Sequence, residues 1–123
     1  MSRPAIRLQL SVEGTVVATA TLDANDTAAD FVALLPLALR LEDYASTEKI
    51  AVLPRPLATT APIAACTPVA GDIAFYVPWG NIAIFYNDGQ LSQGLVRLGR
   101  LDGGWGAFRR AGWMAVVVAL APA

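Results

Sequence analysis

Histidine is absent from this sequence, and cysteine occurs once, as Cys66. Without histidine, no Ser-His-Asp triad or Cys-His pair can form within the chain. The usual ligand sets for zinc, copper and iron–sulfur clusters need several histidines or cysteines. No Gly-x-Gly-x-x-Gly or phosphate-loop pattern occurs either. We therefore expect neither a metal nor another cofactor, and we expect Cys66 to be a buried, unreactive thiol.

Charge and long apolar runs are also scarce. Nine basic and ten acidic residues give a net charge of −1, and among the basic residues only Arg109 and Arg110 are adjacent, so no nucleic-acid partner is expected. The apolar run at residues 113–121 is too short for a membrane-spanning helix, which needs about 20 residues. Arg7 stands where a signal peptide would need its apolar region. Together with the single cysteine, these features predict a cytoplasmic protein without a membrane partner.

What the sequence does have is a strongly apolar central segment, residues 71–88. Residues 73–77 and 82–86 are rich in β-branched and aromatic side chains, and Pro78, Trp79, Gly80 and Asn81 between them favour a turn. Because both faces of these predicted strands are apolar, both need cover, as in the wall of a barrel or a sandwich. The predicted core includes Ile73, Phe75, Ile82, Ile84 and Val116.

The rest of the chain predicts mostly strands within a single domain, residues 1–123. Residues 6–12 and 15–22 form a predicted hairpin, and further strands are expected at 37–41, 50–53, 95–101 and 113–120. Asn25, Asp26 and Thr27 favour the start of a short helix, and Pro36 favours its end. Asp30 could accept hydrogen bonds from the amides of the first turn of this helix. Trp105 and Phe108 favour a second short helix. Most of residues 43–66 is expected to be an extended loop. Seven or eight strands and two short helices result.

Several short blocks of sequence carry a family resemblance. They are Leu41-Glu-Asp-Tyr44, Glu48-Lys-Ile-Ala51, Leu53-Pro-Arg-Pro56, Gly71-Asp-Ile-Ala74, Pro78-Trp-Gly-Asn-Ile-Ala-Ile-Phe-Tyr86, Gly94-Leu95 and Leu98-Gly-Arg-Leu101. In this order they resemble the small bacterial cyclophilin-like proteins, a group with few known activities. The resemblance implies a mainly β fold: a closed, mostly antiparallel barrel of about eight strands with a helix at each end.

The resemblance to this fold group implies peptidyl-prolyl cis-trans isomerase activity as one alternative. True cyclophilins polarise the prolyl nitrogen with an arginine, beside an apolar pocket and a histidine-containing rim. This sequence has no histidine and lacks the Phe-His-Arg and Gln-Gly-Gly blocks of those enzymes. Arg55 lies between two prolines but does not align with the catalytic arginine. The first hypothesis is therefore a binding module for a small ligand or an extended peptide, which could also form a homo-oligomer.

Candidate ligand-binding residues are aromatic or charged side chains near the predicted loops: Tyr44, Glu48, Arg55, Tyr76, Trp79 and Tyr86. Aromatic side chains could line a cleft between residues 44–56 and the turn at 78–81, where Arg55 or Glu48 would bind a polar group. In the alternative, Trp79 covers a barrel end, the tyrosine hydroxyls bond to the backbone, and Arg55 pairs with a surface carboxylate. Asp72 and Asn81 are expected to bond to local backbone at strand ends.

Overall fold

Ten strands, one α-helix and one 3-10 turn make up the computed structural model, which describes residues 5–59 and 65–122. In chain order they are β1 (Arg7–Val12), β2 (Thr15–Leu22), α1 (Asp26–Val32), β3 (Leu37–Tyr44), β4 (Glu48–Val52), β5 (Ala65–Cys66), β6 (Asp72–Tyr76), β7 (Asn81–Phe85), β8 (Ser92–Gln93), β9 (Leu95–Leu101), the 3-10 turn (Trp105–Phe108) and β10 (Met114–Leu120). Eight strands close into a barrel in the order β1-β10-β3-β4-β7-β6-β9-β2, and β5 pairs only with β8. All these pairs are antiparallel.

The barrel confirms the main expectation from the sequence, with one correction. The predicted closed, mainly antiparallel barrel of about eight strands is present. Of the two predicted short helices, only the first is an α-helix. Residues 105–108 form a single 3-10 turn of four residues, because Gly103 and Gly104 precede it and no capping side chain holds its start. Among the described residues, the seven-residue α1 is the longest helix, and none is long and apolar enough for a membrane span.

The central hairpin forms as predicted and supplies much of the core. Strands β6 and β7 pair so that Ile73 lies opposite Ile84 and Phe75 opposite Ile82. These four side chains point into the barrel with Val116 of β10, and each is at most 2% exposed. Burying a side chain of this size stabilises the fold by roughly 1.5–3 kcal/mol. All five predicted core residues are therefore in the core.

Helix α1 closes one end of the barrel. Asn25 caps its start by accepting from the amide of Ala28, and Phe31 is fully buried against the barrel interior. The spacing predicted that Asp30 accepts from first-turn amides, and this is wrong: its carboxylate accepts from the Arg55 guanidinium and from the amide of Ala58. The reason is that Asp30 lies in the second turn, on the side facing the segment after β4.

The opposite end of the barrel is closed by the segment that follows the 3-10 turn. Lys49 of β4 is completely buried and donates to the carbonyls of Arg110 at 2.6 Å and Gly112 at 2.5 Å, and pairs with Asp43 at 2.9 Å. Arg109 also donates to the carbonyl of Tyr86. These bonds fasten residues 109–112 across the ends of β4 and β7.

A second, smaller apolar cluster lies outside the barrel wall, as the two-sided apolarity of the hairpin requires. Ala74, Ala83, Phe85 and Leu95 form it, and Cys66 of β5 packs against it. Strand β5 falls in the segment expected to be an extended loop, and β8 lies where no strand was expected. Strand β4 begins at Glu48, two residues before the predicted start. Residues 60–64 of the long predicted loop lie outside the described residues. Cys66 is free and half-buried, and burial raises the pKa of its thiol, which suits an unreactive side chain.

Candidate functional site

A cleft of about 520 Å³ lies on the outer face of the barrel wall, where β4, β6 and β7 run side by side. This volume is in the range of about 300–1,000 Å³ that small-molecule sites occupy. Its lining includes Tyr44, Glu48, Tyr76, Trp79, Asn81, Phe85 and Asp88. Four of the six candidate residues from the sequence thus share one cleft: Tyr44, Glu48, Tyr76 and Trp79.

The floor of the cleft is the outward face of β7. Because side chains alternate along a strand, Ile82 and Ile84 enter the barrel while Asn81, Ala83 and Phe85 face outward. The outward side chains are nonetheless at most 4% exposed, since the outer cluster covers them. The cleft is therefore an opening between residues that otherwise cover the outer face of the barrel wall.

Three aromatic rings form one wall. Trp79 lies in the turn between β6 and β7, where Gly80 adopts φ +65°, and its side chain is 54% exposed. The rings of Tyr44 and Tyr76 meet it edge to face, with centroids 5.5 and 5.4 Å away. Such pairs contribute about 0.5–1.5 kcal/mol each, so the three rings hold one another in place. Trp79 thus packs on the cleft wall, and neither closure of a barrel end nor a tyrosine bond to backbone is needed to explain these rings.

Glu48 is the charged group of the cleft whose protonation the fold alters most. It begins β4, opposite Tyr44 of β3 and Phe85 of β7. Desolvation by these neighbours raises the pKa of its carboxyl to about 7. Among residues 5–59 and 65–122 no cation pairs with it. The carboxyl can consequently gain or lose a proton near neutral pH, as functional carboxyls often do.

Asn81 is the polar residue of the floor, and the oxygen of its carboxamide has no hydrogen-bond partner among the described residues. It is 3% exposed, and its Nδ2 donates to the carbonyl of Ile82 at 3.2 Å. Only a nitrogen can face that carbonyl, which fixes the orientation of the amide. The Oδ1 atom is buried and has no partner among the described residues. The expected bond to local backbone therefore forms on one side of the carboxamide only.

The structure does not bring Arg55 to this cleft. Its guanidinium makes two bonds to the Asp30 carboxylate, at 2.7 and 2.9 Å, and a third to the carbonyl of Pro56. This ion pair lowers the pKa of Asp30 to about 2. The sequence placed Arg55 near Trp79 because both flank predicted loops, but Arg55 follows the end of β4 that faces α1. The alternative, a pair with a surface carboxylate, describes its position.

Tyr86 is also outside the cleft. Although it follows β7 directly, it continues the inward phase of that strand, and it is 5% exposed. Its hydroxyl donates to Asp43 at 2.9 Å, and burial together with this bond raises the pKa of the phenol to about 12. Tyr86 belongs to the polar group that closes the Lys49 end of the barrel.

Sequence reasoning missed the contribution of Asn81 and Asp88 to the cleft. Asn81 looked like a turn residue, and Asp72 at the start of β6 does bond to local backbone through the amide of Val69. A usable signal existed in β7, where Asn81 shares its face with Ala83 and Phe85. A polar side chain on a covered apolar face is uncommon, and it indicates contact with another polar group.

The described residues include no group of three or more histidine, cysteine, aspartate or glutamate side chains that could bind a metal ion. The candidate site is thus an aromatic and acidic cleft.

Comparison with known proteins supports the fold throughout the chain. No curated protein matches it. Among solved structures it is similar to the solution structure of a hypothetical protein from Archaeoglobus fulgidus, with a TM-score of 0.74 and 19% identity. That similarity covers 98% of this chain and 100% of the other and concerns the fold alone. The family model described as the cyclophilin-like family matches residues 10–117, which is most of the sequence. The chain belongs to the cyclophilin-like family.

Proposed function

We propose that this protein is a binding module whose ligand, a small molecule or an extended peptide, occupies the cleft between Trp79 and Glu48. The observation that carries the proposal is Asn81, a residue of the cleft lining that is 3% exposed and whose Oδ1 has no partner among the described residues. Leaving a buried acceptor unpaired costs about 1–3 kcal/mol, so such atoms call for an explanation. A ligand that donates to Asn81 supplies one.

The shape of the cleft supports the same proposal. It combines a mainly apolar floor with few polar groups, as ligand sites usually do. Trp79 is one of three tryptophans and is half exposed beside this floor, where a ligand could cover it. The half-buried free Cys66 fits a reducing compartment, so we propose that the module works in the cytoplasm.

Peptidyl-prolyl isomerase activity has less support. It needs a donor aimed at the prolyl nitrogen. No arginine, lysine or histidine lines the cleft in the described part of the chain, and Arg55 is bound to Asp30. We expect no robust acceleration in a proline-isomer assay with short peptides. Turnover that disappears in Arg55→Ala while the fold persists would reverse this conclusion.

The binding proposal can be tested by NMR with the tryptophan indoles as reporters. Acetylated and amidated single amino acids of neutral, acidic and basic type, and short proline-containing peptides, are titrated into the protein. We expect at least one class to shift the Trp79 indole and the Asn81 carboxamide. Trp113 is an internal control, because it is also 54% exposed but packs on Arg40, outside the cleft.

A matched variant separates binding from folding. Asn81→Leu keeps the branching of the side chain and removes the unpaired acceptor, so we expect the free energy of unfolding to change by less than about 1 kcal/mol. Ligand-induced shifts at Trp79 should nevertheless disappear. Equal shifts at Trp79 and Trp113, or none with any compound, would contradict the binding proposal.

A further inference from the structure

The charged groups in the cleft lining have one sign. Glu48 and Asp88 are both acidic, and no lysine or arginine lines the cleft among the described residues. Elsewhere on the barrel, cations and carboxylates meet in pairs such as Arg7 with Asp102 and Arg55 with Asp30. The cleft therefore has an excess of negative charge, and no cation among residues 5–59 and 65–122 balances it.

The uncharged polar group in the floor of the cleft also lacks a partner. Asn81 donates one hydrogen of its Nδ2 to the carbonyl of Ile82, and the acceptor Oδ1 is the atom of this side chain that has no partner among the described residues. An acceptor needs a donor, and a carboxylate such as Glu48 is also an acceptor. A ligand matched to both groups brings N–H donors rather than carbonyls or carboxylates.

The aromatic wall is compatible with the same ligand. Trp79 lies between Tyr44 and Tyr76, with ring centroids 5.5 and 5.4 Å away. Tryptophan and tyrosine attract cations through the negative faces of their rings, most strongly for tryptophan. Aromatic side chains beside carboxylates thus favour an organic cation over an anion or a purely apolar group.

We propose, building on the binding function above, that the ligand group held in the cleft is an organic cation with N–H donors, a primary ammonium or a guanidinium. Glu48 balances its charge, Asn81 Oδ1 accepts one of its hydrogens, and the rings of Tyr44, Tyr76 and Trp79 enclose its carbon stem. The group can belong to a free amine or to a basic side chain of a peptide.

Glu48 makes this binding depend on pH. Desolvation raises the pKa of its carboxyl to about 7, and a bound cation favours the ionised form. The cation should therefore bind more tightly as the pH rises through about 7. The titratable groups around Glu48 are Tyr44 of β3, Tyr86 and Asp88 at and after the end of β7, and Lys49 and Asp43 on the inner side of the wall. None is a histidine, so a step near pH 7 that vanishes in Glu48→Gln belongs to Glu48.

The test compares four compounds on the intact protein, again through the Trp79 indole with Trp113 as control. Nα-acetyl-lysine amide carries the ammonium, and the norleucine analogue has a similar stem without it. The trimethyl-lysine analogue keeps the charge but has no N–H, and the glutamate analogue reverses the charge. At pH 8 we expect the lysine compound to bind about tenfold or more tightly than each of the others, as charge-assisted hydrogen bonds require.

Two variants and a simple alkylammonium complete the experiment. Glu48→Gln should weaken binding of the lysine compound about tenfold at pH 8 and remove the pH step. The control is Arg40→Gln, which changes a charged residue of β3 outside the cleft lining and should leave both the affinity and the pH step unchanged. n-Butylammonium that binds as tightly as the lysine compound identifies a free amine as ligand, and weaker binding identifies a peptide.

The proposal is overturned if the norleucine, trimethyl-lysine or glutamate compound binds as tightly as the lysine compound. It is also overturned if the pH step survives in Glu48→Gln. In those cases the Trp79 indole still shifts, so the binding module stands and only its ligand class falls. Absence of any shift at Trp79 across the neutral, acidic and basic compounds removes the binding function itself.

Discussion

Glu48 and Lys49 are neighbours in β4, and the barrel wall separates their side chains. Lys49 points inward, is fully buried, and meets three oxygen acceptors, from Arg110, Gly112 and Asp43. Glu48 points outward into the cleft, where desolvation raises the pKa of its carboxyl to about 7 and no cation among the described residues pairs with it. A buried charge with a full set of partners serves the fold, and one left without partners is a candidate for binding.

The same contrast appears in the neutral polar groups. On the inner side, the Tyr86 hydroxyl is bonded to Asp43. On the outer side, Asn81 keeps an unpaired oxygen. The two faces of one wall thus differ in how completely their polar atoms are satisfied, although their apolar residues are equally well buried.

The inner face should give the largest effect when it is broken. Lys49→Met removes a fully buried cation and leaves the Asp43 carboxylate and two carbonyls without this donor, so we expect the free energy of unfolding to fall by about 3 kcal/mol. Urea denaturation followed by tryptophan fluorescence measures it. Arg40→Met is the matched control, because it removes the same charge from a side chain that is 65% exposed, and its effect should be below about 1 kcal/mol.

A second measurement covers the case in which Lys49→Met does not fold. Lys49 is the only lysine of the chain. In the native wild-type protein its amine should resist acylation, and it should react once urea unfolds the barrel. Fast acylation of Lys49 in the native state, or a loss in Lys49→Met no greater than in the control, would contradict the structural role of this residue.

The outer face should give a smaller effect, and one that depends on pH. The pKa of Glu48 is raised in the folded state, so the folded protein favours the neutral carboxyl. The stabilisation from this group is complete below about pH 4.5 and is lost as the pH rises through about 7. Wild-type protein should be less stable than Glu48→Gln at pH 8, on the order of 1–2 kcal/mol after allowing for partial exposure, and similar to it at pH 4.5. Urea denaturation of both proteins at the two pH values measures the difference. A difference that is the same at both pH values would contradict the burial of this carboxyl.

Arg55 should give the smallest effect. Its side chain is 45% exposed and pairs with Asp30, and screening by solvent weakens this ion pair. In Arg55→Ala we expect a smaller shift in the urea midpoint than in either variant above, and unchanged binding in the cleft. Because the pKa of Asp30 is lowered to about 2, this small contribution is present above about pH 4 and is lost as the pH falls through 2. A clear loss of ligand affinity in Arg55→Ala would return Arg55 to the binding site.

Much of the fold could be predicted from the sequence because the signals are local. Alternation in residues 15–22, the apolar hairpin around residues 78–81 and the break at Pro36 each depend on neighbours along the chain. The capping residue Asn25 and the five core side chains follow from the same patterns. The two-residue strands β5 and β8 could not be found this way, since they pair only with each other across a distance of the chain.

The candidate site was predicted in part, and the residues explain which part. The sequence by itself determined that Tyr44, Tyr76 and Trp79 would flank turns and that β7 would be apolar on both faces. Only the tertiary structure decided that Glu48, and not Arg55, shares the cleft with those rings, that Arg55 pairs with Asp30, and that Asn81 is left with an unpaired oxygen. Strand alternation fixes which side of the wall a residue faces, but its partners come from strands and loops far along the chain, and closure of the barrel alone brings them together.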